Sequence, residues 1–288
     1  MTPEPVKCAV ILAAGFGSRL RLNEPGSPKP LQRIAGIPLL VRVLRSLAAA
    51  GIERCVVVLG HEASRIRDAL QTEAPHDVDI EYVFNADYAK SNGVSLLRAR
   101  EHVTGPCVLS MADHLYSPSL VERVVAADFP EDGCVLGVDY DIARCFDLDD
   151  ATKVLVTKQR IVDISKTLER YNALDTGVFR IGPSLIEELG HVYERKGDCS
   201  LSDGVRSLAQ RGLFFARDVG ASQWIDVDTP EAAQRATEML AWYGDNLEHT
   251  DSRALAAPIP AFTDELVLGW ATGAGGARPA LFGPSDAE

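Results

Sequence analysis

Gly15, Gly17, Arg19 and Lys29 follow closely on an apolar run, Val6 to Leu12, that has the composition of a buried strand. Two glycines let main-chain N–H groups crowd against phosphate oxygens with no side chain in the way. Arg19 can fork onto two such oxygens, and Lys29, set between Pro28 and Pro30, offers a compact cation on a stiffened loop. Neither standard nucleotide pattern is present. There is no G-x-x-x-x-G-K-[ST], and the G-x-G here lacks the third glycine of the dinucleotide fingerprint. A Gly-rich turn alone is often only a turn. Joined to Arg19 and a proline-bracketed lysine, it is suited to hold a nucleoside triphosphate by its backbone.

Carboxylates supply the second half of that chemistry. Leu109-Ser110-Met111-Ala112 ends in Asp113, which places an acid at the carboxyl edge of a parallel sheet, where ligands of open α/β folds collect. Mg²⁺ is a hard ion held by one or two carboxylates plus substrate phosphates. Asp113 suits that task; the plainer alternative is that it caps a turn. His114 could touch substrate or metal, or simply stand on a loop. In Trp224-Ile225-Asp226-Val227-Asp228-Thr229-Pro230, Asp226 and Asp228 project the same way from an extended chain. One could complete the metal ligands while the other sits at a helix entrance, and spacing does not choose between them. Gly93 would admit a flat base, with Asn92 or Ser95 at its edge, unless this is only a turn and cap. Lys166 at a strand end could meet an acceptor phosphate, and Gly177 within a strand suggests a close backbone approach.

The elements that must position these groups alternate in the first half. Val6–Ala14, Cys55–Gly60, Ile80–Asn85 and Cys107–Met111 read as buried strands joined by crossover helices. Pro38 can open a helix with Leu40, Val43, Leu44 and Leu47 on one face, closed by Gly51. Leu96–Val103 and the segment after Ser117-Pro118 are further amphipathic helices. Beyond Gly133 the pattern is β-rich: Val135–Asp139, a Lys153–Thr157 and Arg160–Ser165 hairpin, Asp175–Ile181 and Leu213–Val219. Helices are expected near Pro183–Arg195, at Leu201–Arg211 with Ser200 and Asp203 as its cap, and from Thr229-Pro230 to about Tyr243. One domain over 1–244 is expected, with a nucleotide half near 6–130, an acceptor half near 131–244, and a poorly ordered Gly/Ala/Pro-rich tail over 245–288.

Bulk properties narrow the classes. The chain has 288 residues, 46% of them hydrophobic, enough for a substantial core, and a formal net charge of −12. That charge argues against nucleic-acid or anionic-membrane partners, so an anionic substrate must rely on local cations and a metal. No apolar stretch approaches the roughly 20 residues of a spanning helix, and the N-terminus lacks a signal pattern, which makes a cytoplasmic enzyme the expectation. The six cysteines form no C-x-x-C pair; Cys8, Cys55, Cys107 and Cys134 are expected as small buried hydrophobes.

With these residues assembled, the sequence resembles the nucleotidyltransferases that activate sugar or polyol phosphates, through Leu12-Ala13-Ala14-Gly15-x-Gly17-x-Arg19-Leu20 and Pro28-Lys29-Pro30-Leu31. Within that superfamily it is similar to the CTP:inositol-1-phosphate cytidylyltransferases over about residues 6–243. Asn92–Leu96, Met111–His114, Asp150–Val154, Asp175–Phe179, Leu201–Val205 and Asp226–Pro230 carry the narrower likeness. The resemblance implies a Rossmann-like α/β fold, a mostly parallel mixed sheet flanked by helices with one reversed strand and a β-rich acceptor half. It implies that Leu12, Ala13, Ala14, Gly15 and Gly17, with Asn92, Gly93 and Ser95, line the nucleotide. Arg19 and Lys29 would act on the triphosphate, and Asp113 with Asp226 or Asp228 would hold Mg²⁺. His114, Lys166, Asp175, Thr176 and Gly177 would receive the acceptor. Some members continue into a membrane-embedded transferase domain, whereas this sequence runs into the Gly/Ala-rich tail, so that later step is expected of another protein.

The implied reaction is transfer of CMP from CTP to a phosphorylated polyol, inositol 1-phosphate first, giving CDP-inositol and pyrophosphate. A sugar 1-phosphate, phosphocholine or an aminoalkylphosphonate with CTP or UTP is the alternative, and a silent nucleotide sensor the rival of another class. Loss of Asp113 or Lys29 would mark such a sensor, and both are present. Oligomeric state stays open, a homodimer among the options.

Overall fold

Alternation along the first strand determines how the molecule is layered. In β1 (Cys8–Ala13), Val10 and Leu12 join one apolar cluster while Ala9, Ile11 and Ala13 join the other, so both faces of the strand are covered. The computed structural model describes residues 5–17, 27–130 and 132–248. Arg19 and the tail from 249 onward lie outside these residues, while Leu247 is buried and Glu248 accepts a hydrogen bond from the Ser119 N–H at 2.8 Å.

After a small hairpin, β2 (Arg33–Ile34) and β3 (Ile37–Pro38), the chain alternates as expected. It passes through α1 (Leu39–Ala49), β4 (Arg54–Leu59), α2 (Ala63–Glu73), β5 (Asp79–Phe84), α3 (Asn92–Arg98) and β6 (Cys107–Met111). Gly51, in the left-handed region at φ +86°, closes the turn after α1. The helix expected over Leu96–Val103 begins earlier, at Asn92, and breaks into a short 3₁₀ turn at Arg100–His102. Next come β7 (His114–Tyr116), α4 (Pro118–Val125), β8 (Cys134–Asp139), β9 (Lys153–Thr157), β10 (Arg160–Ser165) and β11 (Ala173–Ile181). The chain ends its described path with α5 (Pro183–Lys196), α6 (Leu201–Gln210), β12 (Phe214–Asp218), β13 (Trp224–Asp226) and α7 (Pro230–Tyr243).

Among the described residues nine strands form one sheet in the order β5-β4-β1-β6-β11-β8-β12-β10-β9. β5, β4, β1 and β6 are parallel, β11 runs against both β6 and β8, and β12 is parallel to β8. The hairpin strand β10 adds a second reversal beyond the one expected, through Lys158 and Gln159, both at positive φ. Helices α3, α5 and α6 cover one face through Leu96, Leu185, Leu189, Val205 and Leu208. Helices α1, α2 and α4 cover the other through Leu40, Leu44, Ile66, Leu120 and Val124. The short β7–β13 pair lies apart from the main sheet. No helix among the described residues is long and apolar enough to cross a membrane.

Candidate active site

Four chain segments deliver charged groups to the carboxyl edge of the sheet. β1 leads into Ala14 and Gly15, and the Ala14 carbonyl accepts from the His61 N–H at 3.0 Å. Among the described residues nothing lies within 4 Å of a Cβ built at Gly15. Gly17 differs: at φ +56°, an added Cβ would fall 2.3 Å from Cβ of Lys29. The glycine turn is therefore shaped around the lysine as well as open to a ligand.

Lys29 starts a 3₁₀ turn between two prolines and is only 7% exposed, not on the open loop its flanking prolines suggest. Its ammonium lies 2.7 Å from Asp113 Oδ2 and 3.9 Å from Asp226 Oδ1, and it pairs directly with Asp228. Antiparallel pairing of β13 with β7 sets Asp226 opposite His114, and the Val227 N–H donates to the Asp113 carbonyl at 2.9 Å. These strands are short, yet they bring together acids far apart in sequence.

His114 Nδ1 stands 2.9 Å from Asp113 Oδ1 and 3.9 Å from Asp226 Oδ1, and its ring stacks on Trp224 at 6.4 Å between centroids. Burial disfavours the imidazolium, but Asp226 and Asp113 outweigh it and raise the His114 pKa to about 9. Burial likewise resists charge on Asp113, which Lys29 and His114 nevertheless hold well below the usual carboxylate range. Asp226 is pushed up, by burial first and by Asp113. Its Oδ1 is buried and accepts no hydrogen bond among the described residues.

β11 completes the wall. A bulge between Asp175 and Phe179 turns Gly177 to φ +76°, and an added Cβ there would lie 2.5 Å from His114 Cδ2. The close approach expected at Gly177 is thus to His114. The Gly177 N–H donates to Asp175 Oδ1 at 2.8 Å, and burial pushes the Asp175 carboxyl up to about 6. Thr176 is fully buried, its hydroxyl donating to the Gly137 carbonyl at 2.8 Å, so its side chain supports the bulge rather than facing an acceptor. Lys166 Nζ lies 3.0 Å from Asp150 Oδ2.

Three residues expected at the nucleotide also make contacts within the protein. Asn92 Oδ1 accepts from the Leu201 N–H at 2.9 Å, at the start of α6, so its oxygen is committed to joining two helices. Ser95 is buried and accepts from Asn85 Nδ2 at 3.0 Å. At Gly93 an added Cβ would sit 2.6 Å from the Cys199 carbonyl. Sequence reasoning also missed contributors. Asp150 is grouped with Asp226 and Asp228, their ligand atoms all within 4.8 Å of one another, as are those of Asp113, His114 and Asp226. Buried Asp139 accepts from Trp224 Nε1 at 2.8 Å and fixes the ring that stacks on His114. Phe16, 53% exposed, meets His61 and Tyr88 at 5.0 and 5.2 Å between centroids, an aromatic patch beside Gly15.

The unbonded oxygen of Asp226, set among further acids, suits a hard divalent cation. A family model described as the MobA-like NTP transferase domain matches residues 9–174. The bifunctional IPC transferase and DIPP synthase of Rubrobacter xylanophilus is 37% identical over 239 residues, covering 81% of this chain and 52% of that protein. The chain thus spans about half the length of that relative. The CMP-5'-(3-aminopropyl)phosphonate synthase of Streptomyces rubellomurinus is 39% identical over 253 residues, 82% of this chain and 39% of that protein. Among solved structures, the inositol-1-phosphate CTP transferase from T. maritima superposes with a TM-score of 0.72 at 27% identity, covering 82% of this chain and 97% of the other.

Proposed function

The chain belongs to the MobA-like NTP transferase domain family, and on that premise we propose that it transfers CMP from CTP to a phosphorylated polyol, inositol 1-phosphate first, releasing pyrophosphate. One observation carries this reading: Lys29 and the unbonded Asp226 oxygen lie within one cluster of acids beside a glycine turn. Enzymes of this family generally use a divalent metal. We assign it as Mg²⁺, held by Asp226, whose Oδ1 accepts no hydrogen bond among the described residues, together with Asp113 or Asp228, both of which pair with Lys29. Bound there, the ion would supply charge neutralisation on the triphosphate and help orient its α-phosphate.

The remaining work falls to the chain itself. Gly15 and Gly17 offer backbone to the phosphates, and Lys29 meets charge developing on the leaving pyrophosphate. Arg19 is assigned to the same triphosphate. An oxygen of the acceptor phosphate attacks the α-phosphorus in line; a phosphate monoester is already ionised near neutral pH and needs no strong base. His114, beside Asp113 and against Gly177, is assigned to the acceptor. Lys166, tied to Asp150, is the acceptor-phosphate cation.

Pyrophosphate release from CTP or UTP tests the reading against a panel of inositol 1-phosphate, glucose 1-phosphate, phosphocholine and 3-aminopropylphosphonate. The expected result is release with CTP and inositol 1-phosphate. Release only with the phosphonate would establish the second reading, which the 39% identity to the S. rubellomurinus synthase favours. Silence with every acceptor would remove both.

A further inference from the structure

At the amino edge of the sheet, opposite the acid cluster, β1 and β6 begin with Cys8 and Cys107. Parallel pairing sets Ala9 beside Val108, so the two cysteines stand side by side one residue earlier and face the same way. Cys107 is buried and Cys8 half-buried. Arg54, in register with Cys8 on β4, places Nη2 3.3 Å from the Cys8 sulfur. Glu81 of β5 holds that guanidinium at 2.9 Å and meets His102 Nδ1 at 3.1 Å. A thiol touched by a guanidinium is favoured as thiolate, although the Cys8 thiol also points at the Ala9 carbonyl at 4.0 Å. The Cys107 hydrogen bond, against burial and with help from Arg54, draws the Cys8 pKa down to about 7, with Glu81 opposing. Cys107 is pushed well up, with Cys134 a further neighbour, and buried Cys55 on β4 is pushed up to about 12.

We propose that Cys8 is a site of reversible oxidation by hydroperoxides, with Cys107 as its resolving thiol. The Cys8 thiolate attacks the peroxide oxygen, an S–O bond forms and the O–O bond breaks. The leaving hydroxide or alkoxide takes a proton from water. Sulfur is oxidised to the sulfenic acid as the peroxide is reduced. Cys107 sulfur then attacks, the S–S bond forms, the S–O bond breaks, and hydroxide leaves as water with the Cys107 proton. The product ties β1 to β6 at the edge remote from the acid cluster.

Peptide mapping of the intact chain under limiting iodoacetamide tests this without any variant. Cys145, also half-buried but with its pKa pushed up by burial, is the internal reference. At pH 7 Cys8 is expected to react about tenfold faster, its greater thiolate fraction partly offset by lower intrinsic nucleophilicity. Its rate should reach half-maximum near pH 7, and Arg54→Met should move that midpoint upward. Hydrogen peroxide should yield a linked Cys8–Cys107 peptide two hydrogens lighter, and Cys107→Ala should leave a sulfenic acid that dimedone traps. Equal rates for Cys8 and Cys145, or peroxide treatment giving no linked peptide, would overturn the proposal.

Discussion

Lys29 is the counter-charge to carboxylates that would otherwise repel one another across a few ångströms. Its ammonium contacts Asp113 and Asp228 and lies 3.9 Å from Asp226 while buried. Removing it takes a cation from the leaving group and also leaves like charges facing each other. Lys29→Ala is expected to lower turnover about 10²–10³-fold and to lower the thermal midpoint. Mg²⁺ should restore more of that midpoint in the variant than in the wild type, and an equal rise in both would place the cation elsewhere. The residue types at the site were legible because phosphate and metal chemistry admits few: glycine, lysine, aspartate. What faced them was not. Prolines around Lys29 say nothing of the acids it meets, and the duties of Asn92 and Ser95 depend on where α6 begins and on Asn85. Asp150 stood in a quoted motif, but only the fold brings its carboxylate beside Asp226.

Two elements carry their own tests. The β11 bulge exists so that His114 can lie against bare backbone at Gly177. Gly177→Ala adds both a positive-φ strain and a clash, together about 2–3 kcal/mol in chemical denaturation. In a His114→Ala background the clash disappears and about 1 kcal/mol should remain; an undiminished cost would mean His114 is not what the glycine accommodates. At the start of α6, Ser200 Oγ accepts from the Asp203 N–H at 3.1 Å while Asp203 Oδ2 accepts from the Ser200 N–H at 2.9 Å, the capping box legible from Ser-x-x-Asp. Ser200→Ala should cost about 1 kcal/mol. Burial acts against Asp203, but the hydrogen bonds from Ser200 dominate and depress its pKa in the folded state. A depressed acid stabilises above its unfolded value near 4 and loses that contribution as pH falls toward the folded value. The deficit of Asp203→Asn against wild type should therefore be full at pH 7 and shrink below pH 4, and a deficit independent of pH would show that the charge plays no part.

Over the whole molecule, long apolar runs revealed the parallel core because strands buried on both faces cannot hide among polar neighbours. The three-residue β7 and β13 carry no such period, and they alone set Asp226 beside His114. One further property belongs to no single element. The chain bears a formal charge of −12, yet its proposed substrates are anions. Lys29 and Lys166 act at contact distance, where salt screens little, whereas the acidic field acts over tens of ångströms. The screening length falls from about 30 Å at 0.01 M salt to about 8 Å at 0.15 M. Raising ionic strength should thus weaken the repulsion of an approaching nucleotide more than the grip of the site. At constant free Mg²⁺, kcat/KM for CTP is expected to rise by about two- to fivefold across that range, the reverse of a cation-steered enzyme. Initial rates of pyrophosphate release over a KCl series measure this directly. A steady fall from the lowest salt upward would mean that the local cations govern the approach as well as the bound state.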